Sequence, residues 1–171
     1  MGLVATQQLE PAVHTYCDDR GRSFLSLFDH LPEIPGQINV ALMYAGVVKA
    51  WHRHARQDDH WAVIAGELKV GLFNTEQTAQ AADLRLAGNT PGEGVVLSIE
   101  VPPGAGRTVY LGEHRPGVLR IPRGLWHGAV PVGGHDALLL YYVTERYDPQ
   151  SPDEQREAWD RFPFKWEVEC R

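Results

Sequence analysis

Apolar residues along the chain fall into short runs at strand-like spacing, without the long periodic stripe of a surface helix. Eight runs read as strands: Ile38–Tyr44, Val47–His54, Trp61–Ala65, Leu68–Phe73, Val95–Val101, Arg107–Leu111, Val118–Ile121 and Ala137–Thr144. Breakers separate most of them, at Gly46, Gly66, Pro102-Pro103-Gly104, Pro116-Gly117 and Gly133-Gly134. Many short strands with turn signals between them predict an all-β sandwich or barrel. Residues Asn74–Ala87 are polar and alanine-rich, and read as a loop or a short helix. One helix is predicted near the C-terminus: Ser151 can cap it, Pro152 suits its first position and Glu154 completes a capping box. That helix would run to about Trp159.

Composition narrows the class. The chain has 171 residues, 43% of them hydrophobic, which suits one domain over residues 1–171 with one sizeable core. No internal repeat, low-complexity tract or linker divides it. The formal net charge is −6 and there is no dense Lys/Arg run, which argues against nucleic acid or an acidic membrane surface as the main partner. A local arginine cluster could still hold an anionic ligand. Cys17 and Cys170 are too few and too far apart for a disulfide framework. The opening MGLVATQQLEPAV lacks the layout of a signal peptide, and no apolar run approaches the roughly 20 residues that cross a bilayer. A cytoplasmic location is therefore expected.

The chemistry concentrates between Gly46 and Gly66, GVVKAWHRHARQDDHWAVIAG. His52 and His54 are two apart on a predicted strand, so they share a face and can converge on one ion. Asp59 follows a short turn and can return a carboxylate to that face; Asp58 is its rival. His127, in Pro122-Arg123-Gly124-Leu125-Trp126-His127, is the fourth candidate. Imidazole with carboxylate suits one divalent transition metal, Fe, Mn, Ni, Co or Zn. Strand parity sets Val48 and Ala50 on the histidine face and Lys49 and Trp51 on the other. Lys49 can reach a ligand beside the histidines only if the strand bulges or if it acts across a dimer. The scattered His14, His30, His114 and His135 read as surface or loop residues, and His60 as surface. Tyr141, in LLLYYVT, also suits a core position with a bonded hydroxyl.

Gly46, His52-x-His54, Asp59 and Gly66 resemble the first cupin motif, with Asp where Glu is usual. Pro122-x-Gly124-x-x-His127 resembles the second, without its frequent final Asn. A longer resemblance runs through Asp19-Arg20-Gly21, Gln37-x-Asn39, GVVKAWH, IPRGLWHG, YYVTERYDP, Trp159-Asp160 and Trp166. In that order these are similar to the dTDP-4-dehydrorhamnose 3,5-epimerases, cupin-fold dimers acting on nucleotide sugars. The resemblance implies a cupin (jelly-roll) β-barrel, a homodimer paired through its N-terminal segment, and proton abstraction beside a ketone. It makes His52 the base, Asp160 the carboxylate that orients it, and Tyr141 the acid. It puts His127 and Gln57 in the substrate pocket, and Arg20, Gln37, Asn39 and Lys49 at the nucleotide or its phosphates.

Two departures stand out. The lysine that steadies the enolate in that family has no counterpart in Gln57-Asp58-Asp59-His60, and His54 stands where that family usually has no histidine. Removing a proton beside a ketone needs positive charge at the oxygen, which a metal ion can supply. His52 cannot be free base and metal ligand at once. Three functions remain open: a 3,5-epimerase-like isomerase needing no metal if it follows the family; a metal-dependent cupin enzyme (dioxygenase, lyase or small-molecule isomerase) using His52, His54, Asp59 and His127; and a non-catalytic sugar-binding cupin.

Overall fold

The computed structural model describes residues 14–25, 35–87, 94–114 and 116–167. His30, Cys170 and the N-terminal segment expected to pair with a partner lie outside these residues, as does the side chain of Cys17. The described residues form strands β1 (His14–Asp18), β2 (Gly21–Leu25), β3 (Gln37–Met43), β4 (Lys49–Arg53), β5 (Asp59–Ala65), β6 (Glu67–Phe73) and β7 (Gln80–Ala87). These are followed by β8 (Gly94–Val101), β9 (Gly106–Gly112), β10 (Gly117–Ile121), β11 (Trp126–Pro131), β12 (Ala137–Val143) and β13 (Gln155–Arg156). They make two sheets, ordered β1-β2-β3-β12-β5-β10-β7-β8 and β13-β4-β11-β6-β9, with every pairing antiparallel. The all-β expectation holds. Among the described residues no helix is long and apolar enough to cross a membrane.

The core lies between the sheets, where Leu68, Val70, Leu72, Val101, Leu119, Ile121 and Leu125 are fully buried. On β3 the inward positions are Gln37, Asn39, Ala41 and Met43. That wall is thus polar at one end and apolar at the other, and the polar end opens into a cavity. β6 is buried on both faces, because an aromatic group covers its outer side: Trp51, Phe73, Trp126 and Trp166, with Phe162 and Phe164 against them. The chain after β13 brings three of those rings back across the small sheet, pinned where the indoles of Trp51 and Trp166 both donate to the Trp159 carbonyl at 3.0 Å.

The predicted C-terminal helix does not form. Gln155 and Arg156 pair with Arg53 and His52 as β13, and Trp51 and Glu157 exchange two backbone hydrogen bonds of 3.0 and 3.1 Å. A local cap stabilises a helix by about 1 kcal/mol, less than sheet bonds plus burial of the following aromatic rings offer. β7 replaces the predicted loop or helix within Asn74–Ala87. Its alternation was present in the sequence: Ala82 and Leu84 are buried, while Asp83 and Arg85 face outward. β11 was masked by its Gly and Pro residues. Gly128 serves close approach there, since a Cβ would lie 2.2 Å from the Ala50 Cβ of the neighbouring strand.

Candidate functional site

A cavity of about 330 Å³ opens between the sheets. The small sheet contributes Lys49 and His52 from β4, His54 just beyond it, and His127 from β11; the large sheet contributes Gln37 and Asn39 from β3, Asp59 and Trp61 from β5, and Tyr141 from β12. Two chain segments far apart in sequence therefore meet. In the β4–β11 ladder His127 faces His52, but Ala129 faces Lys49. Three steps on β4 thus oppose two on β11, which is a bulge. The bulge breaks strand parity, so Lys49 and His52 both line the cavity while Trp51 turns to the aromatic side. Of the two routes open to Lys49, the bulge is the one seen here.

His54, Asp59 and His127 offer donor atoms that all lie within 4.8 Å of one another. The Asp59 carboxylate stands between the imidazoles, its Oδ2 3.5 Å from His127 Nε2 and its Oδ1 3.9 Å from His54 Nε2. It also accepts from Gln57 Nε2 (2.9 Å) and Trp61 Nε1 (3.1 Å). Burial raises its pKa, but the His127 contact, the His127 and His54 charges and the Gln57 bond outweigh that and bring it to about 2. The ring tautomers are set from behind. His127 Nδ1 lies 3.0 Å from the Leu125 carbonyl, and His54 Nδ1 contacts the Asp153 carbonyl. A carbonyl only accepts, so each Nδ1 must carry a proton, and Nε2 is the ring nitrogen that each histidine turns towards Asp59. Two imidazoles and a carboxylate, the histidines oriented by carbonyls, are a fitting donor set for a divalent transition ion.

His52 lies beside this set and is not part of it, with its ring 6.2 Å from that of His127. The expected four-residue cluster is thus three residues plus a neighbour. Burial first, then the charges of His127 and Lys49, push the His52 pKa well below its usual value. Lys49 is likewise lowered, by burial and then by Arg20.

Arg20, Gln37, Asn39, Lys49, Gln57, His127 and Tyr141 all reach the cavity as expected. Asp160 does not: it is exposed, and its chain segment is held to the aromatic side of β4 by the bond to the Trp51 indole. Sequence reasoning missed Arg56, Arg146, Tyr147, Glu154 and Arg156 in the lining. Arg146 and Tyr147 sat inside the quoted YYVTERYDP, and a count of basic residues there would have found them. Arg156 enters through the β13 pairing, which no local pattern announces. His60 packs at a tilt against Tyr142, a ring outside the cavity lining.

Asp58, the rival ligand, is engaged elsewhere. It accepts from Arg120 Nη2 (2.7 Å), from the Arg123 backbone N–H (3.1 Å) and from Arg123 Nε (3.2 Å). It thereby ties the β4–β5 turn to the loop before His127. In that loop Gly124, at φ +85°, packs against the Gln80 amide. Burial raises the Asp58 pKa, but the bonds from Arg123 and Arg120 hold it below 3.8. A depressed folded pKa contributes stability above the unfolded value that is lost as pH falls through the folded one. Asp58→Asn is therefore expected to lower Tm at neutral pH and to flatten the acid side of the stability profile below 3.8. Thermal melts across pH check this; an acid limb as steep as wild type would remove Asp58 from the role.

Two antiparallel sheets around a cavity with a His/Asp/His donor set define a cupin-type barrel. No protein-family model matches the chain. It is 34% identical over 164 residues to the spore coat polysaccharide biosynthesis protein SpsL of Bacillus subtilis, covering 91% of this chain and 92% of the relative. It is 32% identical over 147 residues to the probable low-salt glycan biosynthesis epimerase Agl13 of Haloferax volcanii, covering 84% and 81%. In fold it matches the dTDP-4-dehydrorhamnose 3,5-epimerase of Elizabethkingia anophelis, with TM-score 0.57 and 15% identity over 92% of this chain and 79% of that one. It also matches the capsular polysaccharide assembling protein CapF of Staphylococcus aureus, with TM-score 0.54 and 21% identity over 90% of this chain, but spans only 34% of CapF. The chain belongs to the family of these polysaccharide and glycan biosynthesis relatives, is an enzyme of the carbohydrate epimerase class, and shares the cupin-type fold of the dTDP-4-dehydrorhamnose 3,5-epimerases.

Proposed function

We propose that the protein epimerises a keto sugar carried on a nucleoside diphosphate, of the dTDP-4-keto-6-deoxy type. One observation carries the reading: His52 and Tyr141 line a single cavity from opposite sheets. Inverting a carbon requires a base on one face and an acid on the other. The His52 lone pair takes the proton alpha to the ketone, and the C–H electron pair moves into the enolate. The Tyr141 hydroxyl then delivers a proton to the opposite face, and solvent restores both side chains. Arg20, Lys49, Arg146 and Arg156 suit the diphosphate, Gln37 and Asn39 the base, and Gln57 the sugar.

With the lysine of the 3,5-epimerases absent, His54, Asp59 and His127 would hold one divalent transition ion (Fe, Mn, Ni, Co or Zn). Such an ion, when bound, supplies positive charge for the enolate oxygen. His52, outside the set, keeps its lone pair for the proton. The protein is proposed to act as a homodimer in the cytoplasm. The outer face of the large sheet, where Ile64 is 50% and Val118 38% exposed, supports the homodimer.

The same donor set favours a second reading, a metal-dependent cupin enzyme in which the ion and not His52 carries the chemistry. The two part experimentally. Protein purified without chelator is assayed for metal, for its mass by light scattering, and for solvent deuterium entering a dTDP-4-keto-6-deoxy sugar. Deuterium at the carbons flanking the ketone is the expected result. Stoichiometric metal with no exchange would overturn it in favour of the second reading.

A further inference from the structure

We infer that Asp153 is a positioning residue for the site: its carboxylate clasps the turn after His54 while its carbonyl sets the His54 ring. Three consecutive backbone N–H groups, those of Ala55, Arg56 and Gln57, donate to this one carboxylate at 2.9, 2.8 and 3.0 Å. Successive N–H groups converging on one point form an anion-binding nest, here filled by a side chain about a hundred residues downstream, itself only 9% exposed. The Asp153 backbone carbonyl meets His54 Nδ1.

Both contacts act on the same short segment. The carboxylate bonds hold residues 55–57, and so the path by which Gln57 and Asp59 enter the cavity. Anchoring the carboxylate also anchors the carbonyl of the same residue. That carbonyl makes Nδ1 the protonated nitrogen and turns Nε2 towards Asp59. Without the clasp, nothing among the described contacts fixes which nitrogen of His54 faces the cavity. The other imidazole is oriented independently, by the Leu125 carbonyl. Asp153 thus makes the donor set depend on docking of the segment that carries β13.

The inference rests on the proposed role of His54, and the test separates the two. Histidine side-chain nitrogens are followed by NMR in isotope-labelled wild type, Asp153→Asn and Asp153→Ala, in mildly alkaline, metal-free buffer. Wild-type His54 is expected as the single Nδ1–H tautomer. Asp153→Ala should give a mixture, Asp153→Asn should recover part of the wild-type signal, and His127 should stay unchanged in both. Zn²⁺ alone should then bind Asp153→Ala about 10- to 100-fold more weakly than wild type. A His54 tautomer unmoved in Asp153→Ala would overturn the inference. So would equal changes at His127, the mark of general loosening. If the tautomer shifts but Zn²⁺ binds neither protein, the positioning role stands and the metal reading fails.

Discussion

His52→Gln is expected to slow solvent deuterium exchange into a dTDP-4-keto-6-deoxy sugar by about 10²- to 10⁴-fold, the usual contribution of a general base. Glutamine keeps polar atoms near the ring position but has no basic lone pair. Since His52 lies beside the donor set and not within it, the variant should bind metal as wild type does and melt at a similar temperature. This separates the base from the ligands: His54→Ala should lose metal, His52→Gln should not. Tyr141→Phe divides the reaction differently. It leaves proton removal possible but withholds the proton for the opposite face, so exchange should outlast inversion. Exchange in His52→Gln within about threefold of wild type would assign the proton to another group.

Trp51→Ala is expected to be the most destabilising substitution on the outer side of the small sheet. Trp51 is fully buried and packs against Phe162, Phe164 and Trp166, with ring centroids at 5.4, 5.4 and 4.8 Å. Its indole N–H also holds the Trp159 carbonyl. Truncating a buried tryptophan costs about 3–5 kcal/mol. At roughly 2–4 °C per kcal/mol for a chain of this size, Tm should fall by about 6 to 20 °C. Trp51→Phe should recover part of the loss by refilling the space without the N–H. Because β4 carries Trp51 on one side and His52 on the other, activity at a temperature well below the melt should fall as well. A Trp51→Ala protein melting within about 2 °C of wild type would show that the C-terminal segment is not held through this ring.

The class of fold and the heart of the site were legible along the chain, each for a local reason. Strand alternation and Gly/Pro punctuation expose a β architecture, because side chains of a strand must face core and solvent in turn. His52-x-His54, Asp59 and Pro122-x-Gly124-x-x-His127 could be read as one constellation by motif spacing. What local spacing could not supply was which member stands apart. The register shift between β4 and β11 brings Lys49 to the cavity, and the donor atoms of His54, Asp59 and His127 converge without His52. Tertiary pairing also reversed the prediction for residues 151–159. Their capping signals were real, but the N–H groups that Asp153 satisfies lie in the 55–57 turn, and residues 155–157 pair with β4. Asp160 was drawn to His52 by order along the chain and left exposed by the turn that follows Trp159. Sequence by itself determined which groups the protein owns and the faces its strands offer. Only the folded chain decided which distant backbone groups those side chains met, because hydrogen bonds and burial between remote segments outweigh the small preferences each segment has alone.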